Sequence, residues 1–343
     1  MLVDHKPPMI ARSADWKNAL AQAIRDPVEL LRRLSLPAAL IQGSEAALQD
    51  FPLRVPLGFV SRIKSGDIHD PLLRQILPLS DESRLVPGFA HDPVGDLAAQ
   101  AGAGILHKYH GRALLTATGA CAVHCRYCFR RHFPYGEQRP ARDNWQGVVG
   151  YLQAHPEVDE LILSGGDPLM LDDEQLLALS QGLKTLPQLH RLRLHTRLPI
   201  VLPERIDNGL LAWLESLPWP VVMVVHCNHP QELNEQVATA LAQLHRCGVT
   251  LLNQSVLLKG VNDDPDTLVE LSQKLFQNHV MPYYLHMLDR VAGAAHFEVA
   301  EASALAIYRE LHRRLPGYLL PRLVREHAGE HGKRPLAAFD APP

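Results

Sequence analysis

Three of the chain's five cysteines, Cys121, Cys125 and Cys128, fall within the single stretch GACAVHCRYCFRRHFPY, Gly119 to Tyr135. Three thiolates spaced C-x3-C-x2-C on one loop can each take one iron of an iron–sulfide cube while the loop wraps it. Cysteine-held clusters ordinarily use four thiolates. A missing fourth leaves one iron open to a small molecule, as catalytic zinc sites keep one position open. The alternative is a zinc site completed by His124 or His132, although structural zinc favours paired two-residue knuckles. Three unrelated core cysteines fit poorly, because the flanks HCRYC and FRRH are polar and costly to bury. Cys227 and Cys247 stand apart and read as small buried hydrophobes.

The elements that must position this loop follow from the hydrophobic pattern. In the first hundred residues WKNALAQAI, DPVELLRRL and SEAALQDF carry apolar positions three and four apart after a Ser or Asp start, which predicts helices. From Arg112 onward short apolar runs alternate with amphipathic segments: ALLTAT, ELILSGG, RLRLHT, VVMVVHC, LLNQSVLL and MPYYLHML read as strands. Between most of them lie helix candidates Asn144 to Ala154, Asp172 to Leu186, Gln231 to Cys247 and Pro265 to Asn278, with one more at Ala300 to Arg314. Six strands with right-handed crossovers predict an α/β fold, a full or partial parallel barrel with its site at the strands' C-terminal ends. The divisions expected are a helical N-terminal region (1–108), a barrel core (109–290) and a C-terminal segment (291–343). Polar residues sit where that rule wants them: the cysteines after the first strand, Ser164 to Pro168 after the second, His195 to Arg197 after the third and His226 after the fourth. Asn253 and Gln254 lie in the fifth, and Asp289 closes the sixth.

Composition narrows the class. With 343 residues, 46% hydrophobic, and a formal charge of −3, the chain is ordinary for a globular enzyme and lacks the basic field of a nucleic-acid binder. No apolar run reaches the roughly 18 residues of a membrane-spanning helix, and no leader pattern opens the chain. A cytoplasmic location is expected, where close cysteines serve metals or redox chemistry rather than disulfides.

The cysteine spacing, with Tyr127 before the last cysteine, resembles the radical S-adenosylmethionine enzymes. SGGDPL, RLPIVLPERI, HCNHP, NQSVLLKGVND and PYYLHMLD, in this order, are similar to the lysine 2,3-aminomutase branch of that superfamily, and the resemblance runs from about Leu106 to Leu336. It implies a partial (β/α)6-type radical barrel, a [4Fe–4S] cluster on the three cysteines, and S-adenosylmethionine chelated by the open iron and cleaved to an adenosyl radical. It also implies pyridoxal 5′-phosphate on Lys333, a lysine that composition alone would assign to the solvated surface.

Further roles follow from the same resemblance. Lys108 and Arg112 become ligands of the cofactor phosphate, assisted by Gln254, and Arg130 offers its planar fork to the substrate carboxylate. Asp289 and Glu326 match the acids that hold a lysine ε-ammonium, the second being Glu where Asp is usual. Ser164, Gly165, Gly166 and Asp167 form a glycine turn beside S-adenosylmethionine, with His226 and Asn228 as further contacts; His195 and Arg197 have structural roles as their alternative. The activity implied is conversion of L-α-lysine to (R)-β-lysine, with a flavodoxin- or ferredoxin-type reductase as electron donor. With no cysteine after Cys247, the chain resembles the proteobacterial type that serves elongation factor P and its lysine ligase. Another amino acid, arginine or glutamate, and a non-catalytic Fe–S or zinc protein are the competing readings. The N-terminal helices either pack on the barrel or form a homo-oligomer interface.

Overall fold

The structure, a computed structural model, describes residues 13–102, 104–137, 145–330 and 332–336. Five helices open the chain: α1 (Ser13–Ala21), α2 (Pro27–Arg33), α3 (Glu45–Asp50), α4 (Leu57–Val60) and α5 (Pro71–Arg74). The strands follow as β1 (Ile105–Tyr109), β2 (Arg112–Thr118), β3 (Glu160–Gly165), β4 (Arg191–Thr196), β5 (Val221–Val225), β6 (Thr250–Val256), β7 (Met281–His286), β8 (Arg322–Arg325) and β9 (Arg334–Pro335). They pair in chain order; β2 through β8 are parallel, while β1 and β9 close the two ends antiparallel. All six expected strands are present, and the apolar segment YLLPRLV supplies a seventh parallel one.

The crossover helices are α6 (Gln146–Ala154), α7 (Asp173–Leu183), α8 (Leu198–Val201), α9 (Asn208–Glu215), α10 (Glu235–Arg246), α11 (Pro265–Gln277) and α12 (Glu301–Arg314). Four begin on a side-chain cap that the sequence spells out: Asp172, Asp207, Asn234 and Asp264 each accept a hydrogen bond from a backbone N–H of the first turn. In α10 the buried residues Val237, Ala240, Leu241 and Leu244 recur at helical spacing and form the stripe that covers the sheet. β5, VVMVV, is buried at four of its five positions, as a central strand of a parallel sheet should be. The expected start of α6, Asn144, lies outside the described residues.

One apolar core runs from Trp16, Leu30 and Leu72 of the N-terminal helices through the strands to Leu323 of β8. The N-terminal helices thus pack on the barrel, and polar contacts show what they grip. Arg126, between the second and third cysteines, is fully buried; its Nε donates to Glu82 Oε1 (2.9 Å) and its Nη2 to Glu82 Oε2 (2.5 Å). The remaining Nη1 donates to the Phe51 carbonyl (2.6 Å), and the Arg126 backbone N–H to the Gln75 carbonyl (2.9 Å). Arg131 shares Glu82 at 2.9 Å.

Breaking a buried pair leaves a charge without a partner in a low-dielectric interior and costs about 3–5 kcal/mol. Glu82→Ala should lower the unfolding midpoint by that order and reduce iron retained per chain after anaerobic reconstitution. Asp81→Ala, which removes only the exposed Arg84 pair, should change neither measurement appreciably.

Candidate active site

The C-terminal ends of the strands open on a cavity of about 270 Å³. Its wall includes every one of the fifteen site residues expected from the sequence, from Lys108 and Arg112 through the three cysteines to Glu326 and Lys333. The cysteine loop begins where β2 ends at Thr118, and all three thiols are free and half-buried. Among the described residues the one trio of His, Cys, Asp or Glu ligand atoms within 4.8 Å of one another lies elsewhere, so at least one pair of the three sulfurs is farther apart than that. A single zinc ion, binding each sulfur at about 2.3 Å, would draw them closer; the spread suits a polynuclear centre. Neither proposed zinc-completing histidine faces it. His124 Nδ1 bonds the Pro52 carbonyl (2.7 Å) with its ring stacked on Phe51, and His132 Nε2 meets the Ala292 carbonyl (3.1 Å) with its ring on His91.

Burial pushes the Cys128 thiol up to about 11 and Cys121 further, so each must lose a proton to bind iron. Arg197, buried after β4, donates Nη1 to Cys125 Sγ (2.7 Å) while Glu232 (2.8 Å) and Gln75 (2.6 Å) hold its other arm. A hydrogen bond to a ligand sulfur of this kind is one of the levers on a cluster's reduction potential.

The glycine turn at the end of β3 lines the cavity and is also packed tightly at its back. A Cβ on Gly166 would lie 2.4 Å from the Ala120 carbonyl, and one on Gly165, whose φ is +110°, 2.7 Å from the Thr118 carbonyl. The end of β3 is pressed against the start of the cysteine loop, and only glycine permits that contact. Ser164 Oγ takes a hydrogen bond from Arg130 Nη1 (3.1 Å). Asp167 is engaged in positioning: it accepts from Thr196 Oγ1 (2.7 Å) and from the backbone N–H groups of Arg197 (2.7 Å), Leu198 (3.2 Å) and Leu169 (3.1 Å). Burial pushes its carboxyl up to about 6 despite these donors.

The opposite wall is built by the chain's last strands. Antiparallel pairing of Val324 with Pro335 and Arg325 with Arg334 turns the segment 326–333 into a loop whose two ends meet. Lys333 Nζ therefore donates to Glu326 Oε2 at 2.7 Å and lies 5.9 Å from the Tyr284 ring centroid, inside the cavity rather than in solvent. Glu326 Oε1 also takes Tyr109 Oη (3.2 Å) and Lys108 Nζ (3.4 Å) from β1. These contacts join the antiparallel first strand to the end of the last parallel strand, β8. Burial alone would raise the Glu326 carboxyl, but Lys333, Lys108 and Arg130 outweigh it and hold it at about 2.

Asp96 is the residue that sequence reasoning missed. It sits in a loop of the N-terminal region, buried, with Lys108 Nζ at 2.5 Å and Arg130 Nε at 2.6 Å. Its loop is pinned by Asp92, which accepts from the Asp96 and Leu97 N–H groups; nothing in DPVGDL distinguishes it from an ordinary acidic turn. Tyr284, Arg193 and His286 also line the cavity without having been singled out. Burial drives His226 down to about 3 and His195 and His286 well below the usual range, so all three are neutral. Gln254 Nε2 donates to His226 Nε2 (2.8 Å), whereas His195 Nε2, His286 Nε2 and Asp289 Oδ1 are buried without a hydrogen-bond partner among the described residues. Six Lys and Arg residues against four carboxyl groups line the space, a balance that favours an anionic guest.

Burial, reinforced by repulsion from Glu326, pushes the Asp289 carboxyl up to about 7. The folded chain therefore holds this proton more tightly than the unfolded chain, and stability from this group is lost as pH rises from about 4 through 7. Asp289→Asn should raise the unfolding midpoint relative to the parent at pH 8, by up to about 4 kcal/mol equivalent, and far less at pH 4. Equal gains at both pH values would contradict the assignment.

Comparison with known proteins agrees with this geometry. Residues 115–271 match the family model of the radical SAM superfamily. The chain is 50% identical over 324 residues to the L-lysine 2,3-aminomutase of Escherichia coli (94% of each chain) and 47% identical to that of Haemophilus influenzae (95% of this chain, 96% of the relative). It is 31% identical to the L-lysine 2,3-aminomutase of Clostridium subterminale, covering 94% of this chain and 77% of that one. Membership of the superfamily implies the [4Fe–4S] cluster and S-adenosylmethionine that the three free, wide-set thiols suit. With thiols, acids and Lys333 lining one cavity, and relatives at this identity over nearly the whole length, the chain belongs to the lysine 2,3-aminomutase family of radical S-adenosylmethionine enzymes.

Proposed function

We propose that this protein converts L-α-lysine to (R)-β-lysine by a 1,2-amino shift, with pyridoxal 5′-phosphate as its second cofactor. The observation that carries the reading is the arrangement of Lys333, Arg130 and the Asp289/Glu326 acids around the space that the cysteine sulfurs also face. The cationic excess and the orphaned polar atoms of His195, His286 and Asp289 suit an anionic, hydrogen-bonding ring and an amino acid beside it. Lys333 would carry the cofactor covalently, with Arg112, Lys108 and Gln254 toward its phosphate; Lys108 would exchange part of its contact with Asp96 and Glu326 for it. Cys121, Cys125 and Cys128 would hold the cluster, and the Ser164–Asp167 turn with His226 would flank S-adenosylmethionine. The bound groups supply removal of hydrogen from an unactivated carbon and delocalisation of an unpaired electron, which side chains cannot.

The chain's own residues position and enclose. Arg130, fixed by Asp96, presents its guanidinium to the substrate carboxylate. Glu326 already holds one lysine ammonium, that of Lys333, and together with Asp289 it would take the ε-ammonium of the substrate. Two carboxyls aimed at one end repel glutamate and favour a cation. Neutral His195, His226 and His286 add polar lining without adding charge that would compete for those acids. The reductant is a flavodoxin- or ferredoxin-type protein, and the product serves elongation factor P through a partner ligase in a cytoplasmic setting, a reading supported by the higher identity to the Escherichia coli relative than to the clostridial one.

The test is anaerobic reconstitution with iron, sulfide and pyridoxal phosphate, followed by S-adenosylmethionine, lysine and dithionite, with products resolved by chiral chromatography. (R)-β-lysine is expected. Lys333→Ala should retain the cluster's absorbance and lose isomerisation; Asp289→Asn should raise KM for lysine roughly 10- to 100-fold, the worth of a charge-assisted hydrogen bond. Turnover by Lys333→Ala, or glutamate converted as well as lysine, would overturn the assignment.

A further inference from the structure

A second set of metal-binding side chains lies on the other side of β1 from the cavity. Lys108 faces the cavity; its neighbour His107 points the opposite way, as strand alternation requires, and meets α6 through Tyr151. His107, His155 and Glu157 each offer one ligand atom, and these atoms all lie within 4.8 Å of one another. Both imidazoles are half-buried and Glu157 is exposed, so the point between them is open to ions from solvent.

We propose that His107, His155 and Glu157 bind a divalent ion of the zinc class. The decisive feature is how the rings are held. His155 closes the C-terminus of α6, and its Nδ1 lies 2.8 Å from the Tyr151 carbonyl oxygen. A carbonyl only accepts, so Nδ1 carries the proton and Nε2 keeps its lone pair. His107 Nδ1 lies 2.8 Å from the Tyr151 hydroxyl oxygen, which can accept its N–H; in that tautomer Nε2 keeps its lone pair as the second ligand. One tyrosine thus orients both imidazoles, and its ring stacks on His155 with centroids 4.0 Å apart. Metal-binding histidines are held in this way, with the other ring nitrogen on a carbonyl, carboxylate or hydroxyl that fixes tautomer and direction. Two imidazoles and one carboxylate select a borderline transition ion over magnesium or calcium, and three protein ligands leave a fourth position for water. The ion would tie β1, the edge strand that carries Lys108 into the cavity, to the connection between α6 and β3. The pair His245 and His279, stacked with centroids 4.2 Å apart, has no third ligand among the described residues and serves as the comparison.

The full chain, with its cluster loaded so that the cysteines are occupied, is dialysed anaerobically against Zn²⁺ alone. Zinc per chain is then counted and its shell read by X-ray absorption at the zinc edge. One zinc per chain is expected, with nitrogen and oxygen neighbours only, at about 2.0–2.1 Å. Tyr151→Phe should weaken binding by about 10-fold or more, since loss of the partner of a metal-bound imidazole costs about 10- to 100-fold. Glu157→Gln, a conservative change on an exposed residue, should cost at least as much, and His245→Ala should cost nothing. Zinc retained equally by the double variant His107→Ala/His155→Ala, or sulfur neighbours at about 2.3 Å, would overturn the site.

Discussion

Glu326 is the point on which the site closes. A parallel sheet that does not complete its barrel leaves a gap between its first and last strands, and here that gap is spanned by one carboxylate that accepts Lys333, Lys108 and Tyr109. A buried acid is costly unless paired, and the three donors arrive from opposite ends of the sheet. The short antiparallel pairing of β8 with β9 makes this possible, because it returns Lys333 to the residue seven positions before it. Closure of the sheet and placement of the lysine are therefore one interaction.

The cysteine loop depends on a second constraint, imposed from outside the barrel. Backbone N–H groups of His124 and Arg126 donate to carbonyls of Arg54 and Gln75, and Glu82 neutralises Arg126 and Arg131. On the inner side the end of β3 is hydrogen-bonded to the loop's start, Gly166 and Asp167 N–H donating to the Thr118 (2.7 Å) and Ala120 (2.8 Å) carbonyls, with no room for a side chain on Gly165 or Gly166. The loop's own turns, such as Cys128 N–H on the Cys125 carbonyl (3.0 Å) and Arg131 N–H on the Cys128 carbonyl (3.2 Å), are local and need an outer frame. The N-terminal helices and the end of β3 supply one.

Charge within the cavity is arranged by burial as much as by pairing. The same low-dielectric surroundings that keep His195, His226 and His286 neutral raise Asp289, while the concentration of lysine and arginine keeps Glu326 ionised. Two acids in the field of the same lysine, Lys333, thus differ in their readiness to hold a proton. An acid held near its titration point beside one that is firmly charged costs the fold stability and gives a cationic guest a place that water cannot fill as well.

How much of this was legible beforehand depends on range. The strands and capped helices could be read because their signals are local: period-two apolar runs, Asp or Asn caps, and helical stripes such as Val237 to Leu244. The three cysteines could be read because ligands of one centre lie close in sequence, and resemblance carried Lys333, Arg130, Asp289 and Glu326 to one site. The structure alone shows why they meet. Asp96 links Lys108 to Arg130 through a buried contact between a loop and two distant elements, and no local pattern marks such an acid. The glycine turn was expected to face a ligand and lines the cavity, and its missing side chains are also required by the Thr118 and Ala120 carbonyls behind it. Sequence by itself determined the alternation of strand and helix and the chemistry of the cysteine loop, since both follow from neighbours along the chain. Tertiary structure decided which charges are paired, which histidines are neutral and where the sheet is closed, since each depends on burial and on partners brought together only by folding.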